Sequence, residues 1–196
     1  MNNLTHEIDG ACILKALIAY GTRYGATAGT SEEIAKILRD EGIETKTANL
    51  KEEKIKDITP YDLIIVGSGM GNCRYASEAE DFLRNFRKEF EGKKLALFVS
   101  TMIPFFEKEG KTDDVARTRK IALEDKITKY NLKPTALGYF GGVIDYNKMG
   151  FIARKGMEFF KPQLEKHGFK VAPDIYDLRN WNEIRNWTKE LAQKAS

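Results

Sequence analysis

A chain of 196 residues, 42% hydrophobic and 31% charged, is long enough to bury a substantial core, and no apolar run in it approaches the ~20 residues of a membrane-spanning helix. Two cysteines, Cys12 and Cys73, exclude a disulfide framework; two histidines, His6 and His167, give neither a metal-ligand spacing nor a nucleophile–base couple, and both are expected to be solvated. The net charge of +3 and isoelectric point near 8.7 permit contact with anionic surfaces, but no basic tail or aromatic-interleaved stripe indicates nucleic acid.

The start, MNNLTHEIDGACILKALIAY, has no basic region ahead of its apolar segment, Lys15 interrupts that segment, and no small-residue cleavage site follows. Residues 1–14 therefore read as a short N-terminal extension of a cytoplasmic protein. KALIAY (15–20) is the first strand, and a loop of glycines and hydroxyls leads from it into a helix over 30–42, with Thr30 and Ser31 as caps, Glu32 and Glu33 in the first turn and Gly42 as the stop. IETKTANL (43–50) alternates and reads as an edge strand, whereas DLIIVGS (62–68), KLALFVS (94–100) and TALGYF (135–140) are apolar throughout, as strands buried on both faces are. Helical spacing fills about 77–91, 113–130 and 181–195. This alternation predicts an α/β fold with an open parallel sheet of five strands and helices on both faces, in one domain covering 1–196. Residues 141 to about 180 do not fit the minimal pattern and form an insert before the last helix, long enough to carry structure or function of its own.

The loop after the first strand, Gly21-Thr22-Arg23-Tyr24-Gly25-Ala26-Thr27, leaves the carboxyl end of the sheet, where open α/β folds place ligands, and its amides and hydroxyls suit a phosphate. It has no Gly-Lys-Ser/Thr to hold a nucleoside triphosphate. Neither does it have the G-x-G-x-x-G and acidic partner of a dinucleotide site; GSGMGN (67–72) also lacks that partner, and Asn49 and Leu50 end the second strand. A purely structural strand-to-helix turn remains the alternative.

The loop resembles the phosphate loop of flavodoxins, T/S-x-T-G-x-T, with Tyr24 where a threonine is usual. The resemblance implies a flavodoxin-like three-layer sandwich binding FMN, with cofactor contacts from Thr22, Arg23, Tyr24, Gly25, Ala26 and Thr27. The loop after the third strand would add Ser68, Gly69, Met70, Gly71, Asn72 and a stacking Tyr75. The loop after the fourth would add Thr101, Met102, Ile103 and Phe106, with Phe105 as a further apolar wall. Thr22-Arg23 in the loop, Arg74-Tyr75, the stretch IYDLRNWNEIRNW (175–187) and the insert are similar to the menaquinone-dependent protoporphyrinogen dehydrogenase type of flavodoxin-domain protein. That implies an FMN-dependent oxidoreductase of haem biosynthesis with a quinone or other small-molecule redox partner; a flavodoxin-type carrier between protein partners is the alternative. No residue is singled out as general acid or base, and no metal site is expected. In the insert, Met149, Ile152, Ala153, Gly156, Phe159 and Phe160 share a helical face among basic residues, so 148–170 would lie on an anionic membrane surface, or pack on the sheet or at a homodimer interface.

Overall fold

The computed structural model describes residues 13–71 and 74–195; Asn72, both cysteines, His6 and nearly all of the expected extension lie outside them. Five parallel strands, β1 (Lys15–Gly21), β2 (Glu44–Asn49), β3 (Leu63–Gly69), β4 (Lys94–Thr101) and β5 (Ala136–Gly141), form a sheet in the order β2-β1-β3-β4-β5. The sequence pattern explains the order. β1, β3 and β4 are buried along almost their whole length and sit in the middle, while the alternating β2 lies at one edge. TALGYF, expected to be buried on both faces, is instead the other edge strand: Leu137 is partly exposed, and its carbonyl accepts from the Trp187 indole N–H at 3.0 Å.

Successive residues of each strand face opposite layers, which produces two cores. Ala16, Ile18, Leu63, Ile65, Ala96 and Phe98 meet α1 (Ala26–Asp40) and α8 (Trp181–Ala195) through Ile34, Leu38, Ile184 and Leu191. On the other face Leu17, Ala19, Ile64, Val66, Leu97 and Val99 meet α2 (Ser77–Phe86) through Ala79, Phe82 and Leu83. That core is closed by one long segment made of α4 (Thr112–Arg119), a π-helical turn over Lys120–Glu124 and α5 (Asp125–Tyr130), with Ala122 and Leu123 wholly buried. Glu80 of α2 ties the layer together, accepting from Lys126 Nζ at 2.7 Å, Lys129 Nζ at 2.9 Å and Tyr130 Oη at 2.9 Å.

The helix starts depart from expectation in one place. α1 begins at Ala26, four residues early, because Gly25 takes φ +94° and turns the chain directly into helix. Thr30 and Ser31 are consequently interior residues whose buried hydroxyls have no partner among the described residues, and no acidic residue occupies the first turn. Glu32 and Glu33 lie a turn later, where Glu32 accepts from Thr47 and Glu33 pairs with Arg185.

The insert has its own architecture. A three-stranded antiparallel sheet, β6 (Val143–Asp145), β8 (Ile175–Asp177) and β7 (Lys170–Ala172), carries α6 (Phe151–Glu158) and α7 (Lys161–Lys166) between its strands. A third core of Ile144, Tyr146, Leu164, Phe169 and Tyr176 packs against Phe105 of α3 (Ile103–Lys108). The insert leaves and rejoins the fold at one point, where the Leu178 N–H donates to the Gly142 carbonyl at 2.9 Å and the Gly142 N–H to Thr101 at 2.9 Å. Its α7 end is fastened to α3: His167, expected to be solvated, is half-buried, bonded to Glu109 and packed edge-on to Phe105.

Candidate functional site

The loop between β1 and α1 presents a helix start with no side-chain cap. The Gly25 N–H donates to Thr22 Oγ1 at 3.1 Å, which closes the turn, while the first amides of a helix have no carbonyl within it to bond. With no carboxylate in that first turn, the positive end of the helix dipole faces outward unopposed. Thr27, one residue into the helix, is buried, and its hydroxyl donates to Ser100 Oγ of β4 at only 3.3 Å, a long bond that leaves the proton available to a better acceptor.

Beside this turn lies a cleft of about 280 Å³, close to the ~300 Å³ at which small-molecule sites begin. One end is polar, with Thr22, Tyr24, Thr27, Ser100 and Thr101; the rest is walled by Met70, Met102, Phe106, Ile121, Val143 and Met157 together with their neighbours. Among the described residues, Arg23 is the single charged one lining it. Its side chain crosses Gly71, where an added Cβ would stand 2.8 Å from the Arg23 Cδ, so that glycine is what lets the guanidinium lie over the loop after β3. An anion-accepting turn beside a narrow apolar slot, with no carboxylate lining it among the described residues, suits a flat apolar ring carrying a phosphate.

Of the residues expected at the site, Thr22, Arg23, Tyr24, Ala26, Thr27, Gly69, Met70, Gly71, Thr101, Met102 and Phe106 line the cleft. Gly25 shapes the turn without lining it. Ser68 lies at the buried end of β3, where its hydroxyl accepts from the Ala76 N–H at 2.9 Å and so folds the following loop back on the strand. Ile103 is buried at the start of α3, its N–H bonded to Thr101 Oγ1 at 3.1 Å, and Phe105 belongs to the insert's core. Tyr75, expected to stack on a ring, is in the α2-side core with its hydroxyl unpartnered among the described residues, and burial pushes its phenol well above the usual range. Asn72 is outside the described residues.

Sequence reasoning missed Ser100 at the end of β4, and Thr118, Ile121, Gly142, Val143, Ile144, Met149, Ala153 and Met157, all of which line the cleft. The π-helical turn brings in Ile121: it offsets the helix phase so that Thr118 and Ile121 face the cleft while Ala122 and Leu123 still face the sheet. Gly142 and those after it come from the insert. Tyr146, wholly buried, donates its hydroxyl to the Met157 carbonyl at 2.6 Å and sets the height of α6 over the site. Burial pushes the Tyr146 phenol up to about 12, so it stays a donor across the physiological range.

A profile of the family described as "Flavodoxin domain" matches residues 17–169. The chain belongs to the flavodoxin domain family. Over 85 residues it is 34% identical to a flavodoxin of Clostridium beijerinckii, a match covering 42% of this chain and 62% of that relative. The backbone is similar to that of a short-chain flavodoxin associated with a non-canonical PDU bacterial microcompartment (TM-score 0.56, 13% identity, covering 94% of this chain and 100% of the other). It is similar also to a flavodoxin from the domain Archaea (TM-score 0.52, 13% identity, covering 93% and 99%). The rubredoxin oxygen:oxidoreductase of Desulfovibrio gigas shares the fold at a TM-score of 0.51 and 14% identity over 92% of this chain but only 36% of its own. The matched stretch takes in the sheet from Leu17 of β1 through β5 and most of the insert, and ends before α8. Among the described residues no helix is long and apolar enough to cross a membrane, and no cluster of His, Cys, Asp and Glu could hold a metal ion.

Proposed function

We propose that the cleft holds FMN and that the protein transfers electrons through it, the chain acting as one flavodoxin-like unit with an insert. The uncapped start of α1, opening beside a slot in which Arg23 is the sole charge among the described residues, carries the reading. The amides of Tyr24, Ala26 and Thr27 with the Thr22 and Thr27 hydroxyls would hold the phosphate; Met70, Met102, Phe106 and Ile121 would flank the ring. The cofactor supplies the redox chemistry, and these residues bind it, orient it and exclude water. The purified protein should be yellow and release FMN, rather than FAD or another nucleotide, on denaturation; a colourless protein that takes up no added FMN refutes the assignment.

A flavodoxin-type carrier serving protein partners is one form of this function. A second form is favoured by the insert, whose Met149, Ala153 and Met157 wall the cleft from above. A roofed apolar slot suits a small organic donor, so the protein would act as an oxidoreductase in the cytoplasm, protoporphyrinogen dehydrogenase-like, passing electrons to a quinone or another small acceptor. Reduced porphyrin mixed with the protein and a quinone, followed by porphyrin fluorescence, separates the two forms. Turnover supports the enzyme. No turnover, with efficient reduction by a protein donor, supports the carrier.

A further inference from the structure

The helix that roofs the cleft has a second face. At 3.6 residues per turn, Phe151, Ile152 and Lys155, with Phe159 at the C-cap, fall within roughly a third of the circumference of α6, opposite Ala153 and Met157. Phe151 is 72% exposed, Ile152 87% and Phe159 73%, the three largest such values among the described large apolar residues. The sequence pattern had put Ile152, Ala153 and Phe159 on one face; the structure divides them, Ala153 inward and the other two outward.

We propose that this outer face of α6 docks on an anionic lipid surface. Charge argues for that partner. Lys155 lies on this face with its ammonium 4.9 Å from the Phe151 ring centroid and no carboxylate partner among the described residues, an apolar stem with a cationic tip of the kind that sits at a lipid headgroup boundary. The helix's one acid, Glu158, is turned aside to Arg154 at 3.9 Å; of the six Lys and Arg in residues 148–170, Lys148, Arg154, Lys161 and Lys170 pair with Asp145, Asp174 or Glu165, which leaves Lys155 and Lys166 as the cations with no carboxylate partner among the described residues. Size argues against a second copy of this chain. The two phenylalanines, at the ~150–250 Å² of an aromatic residue, and the smaller Ile152 together present no more than about 600 Å², short of the ~800 Å² per partner of a stable protein interface.

Docking in this way places the cleft wall formed by Ala153 and Met157 about one helix diameter, ~10 Å, from the headgroups. The docking does not depend on what the cleft binds, so its failure and the failure of the FMN assignment are separable.

The test is co-sedimentation of the full chain with vesicles of phosphatidylcholine alone or mixed with phosphatidylglycerol, at low and high salt. Wild type should bind the anionic vesicles, lose much of that binding in high salt, and ignore the neutral ones. The Phe151→Ser/Ile152→Ser/Phe159→Ser variant should bind anionic vesicles at least about tenfold more weakly, and Lys155→Glu should weaken binding without touching any apolar group. Absence of wild-type binding to anionic vesicles overturns the proposal, as does triple-variant or Lys155→Glu binding equal to wild type. Sedimentation velocity that finds a dimer dissolved by the triple substitution overturns it too, in favour of a second copy as the occupant.

Discussion

Replacing Thr22 with alanine removes two interactions at once. Its oxygen accepts from the Gly25 N–H at 3.1 Å, and its own proton is free to donate to the phosphate in the proposed complex. A hydrogen bond to a charged partner is worth about 1.5–3 kcal/mol net, so the loss should raise the FMN dissociation constant by roughly 10- to 150-fold. Thr22→Ser retains the hydroxyl and should stay within a few-fold of wild type. Thr27→Val keeps the buried side chain's shape while removing its hydroxyl; what it loses within the protein is one 3.3 Å bond to Ser100, so any large effect must come from the ligand. The assay is quenching of FMN fluorescence on titration with apoprotein, with urea unfolding of each apoprotein to detect a damaged fold. If Thr22→Ala and Thr27→Val leave unfolding unchanged and affinity within about twofold of wild type, the turn does not hold the phosphate.

Three further outcomes follow from the framework around the site. Burial raises the Glu80 carboxyl, but hydrogen bonds from Lys126, Lys129 and Tyr130 outweigh that and hold it at about 2, against 4.5 when unperturbed. Because the folded value is depressed, the associated stabilisation, on the order of 3 kcal/mol, is complete above about pH 4.5 and is lost as the pH falls toward 2. Glu80→Gln should therefore lower the urea midpoint strongly at neutral pH and little near pH 2; equal effects at both would contradict the assignment. Gly141→Ala puts a methyl 2.0 Å from the Leu178 carbonyl oxygen, a backbone atom that cannot turn away, and should cost about 1–3 kcal/mol in thermal unfolding. Tyr146→Phe, by removing the 2.6 Å bond to the Met157 carbonyl, should cost about 1 kcal/mol and speed amide exchange in α6 while leaving β1, β3 and β4 unchanged.

The sheet was legible because its central strands must be apolar on both sides, a demand that leaves continuous runs such as Leu63–Val66, and because the alternation at Glu44–Asn49 marks an edge. The same rule misplaced TALGYF. There a short edge strand is covered on one side by α8, and Trp187 screens it in a way no local pattern reveals. The phosphate-loop residues could be read because the chemistry is local: glycine, hydroxyls and a helix start in one run. Tyr75 could not be placed, since an aromatic after a glycine-rich loop serves a ring site or a core equally well, and its burial is decided by α2 packing over β3. The roof was invisible for a related reason. Met149, Ala153 and Met157 reach the site only through a small sheet whose strands are three residues long, too short to announce themselves.

The single meeting point of Gly142 and Leu178 makes the insert a cassette. Its ends already sit one hydrogen bond apart, so excising the residues between them and bridging the stubs with a tight turn would cost little closure entropy and leave the path from β5 to α8 intact. What excision would strand is Phe105, now fully covered by the third core; trimming it to a polar residue in the same step should give a bare scaffold with an open slot. Conversely, grafting residues 143–177 onto a short relative would carry the roof and its outward phenylalanines across together.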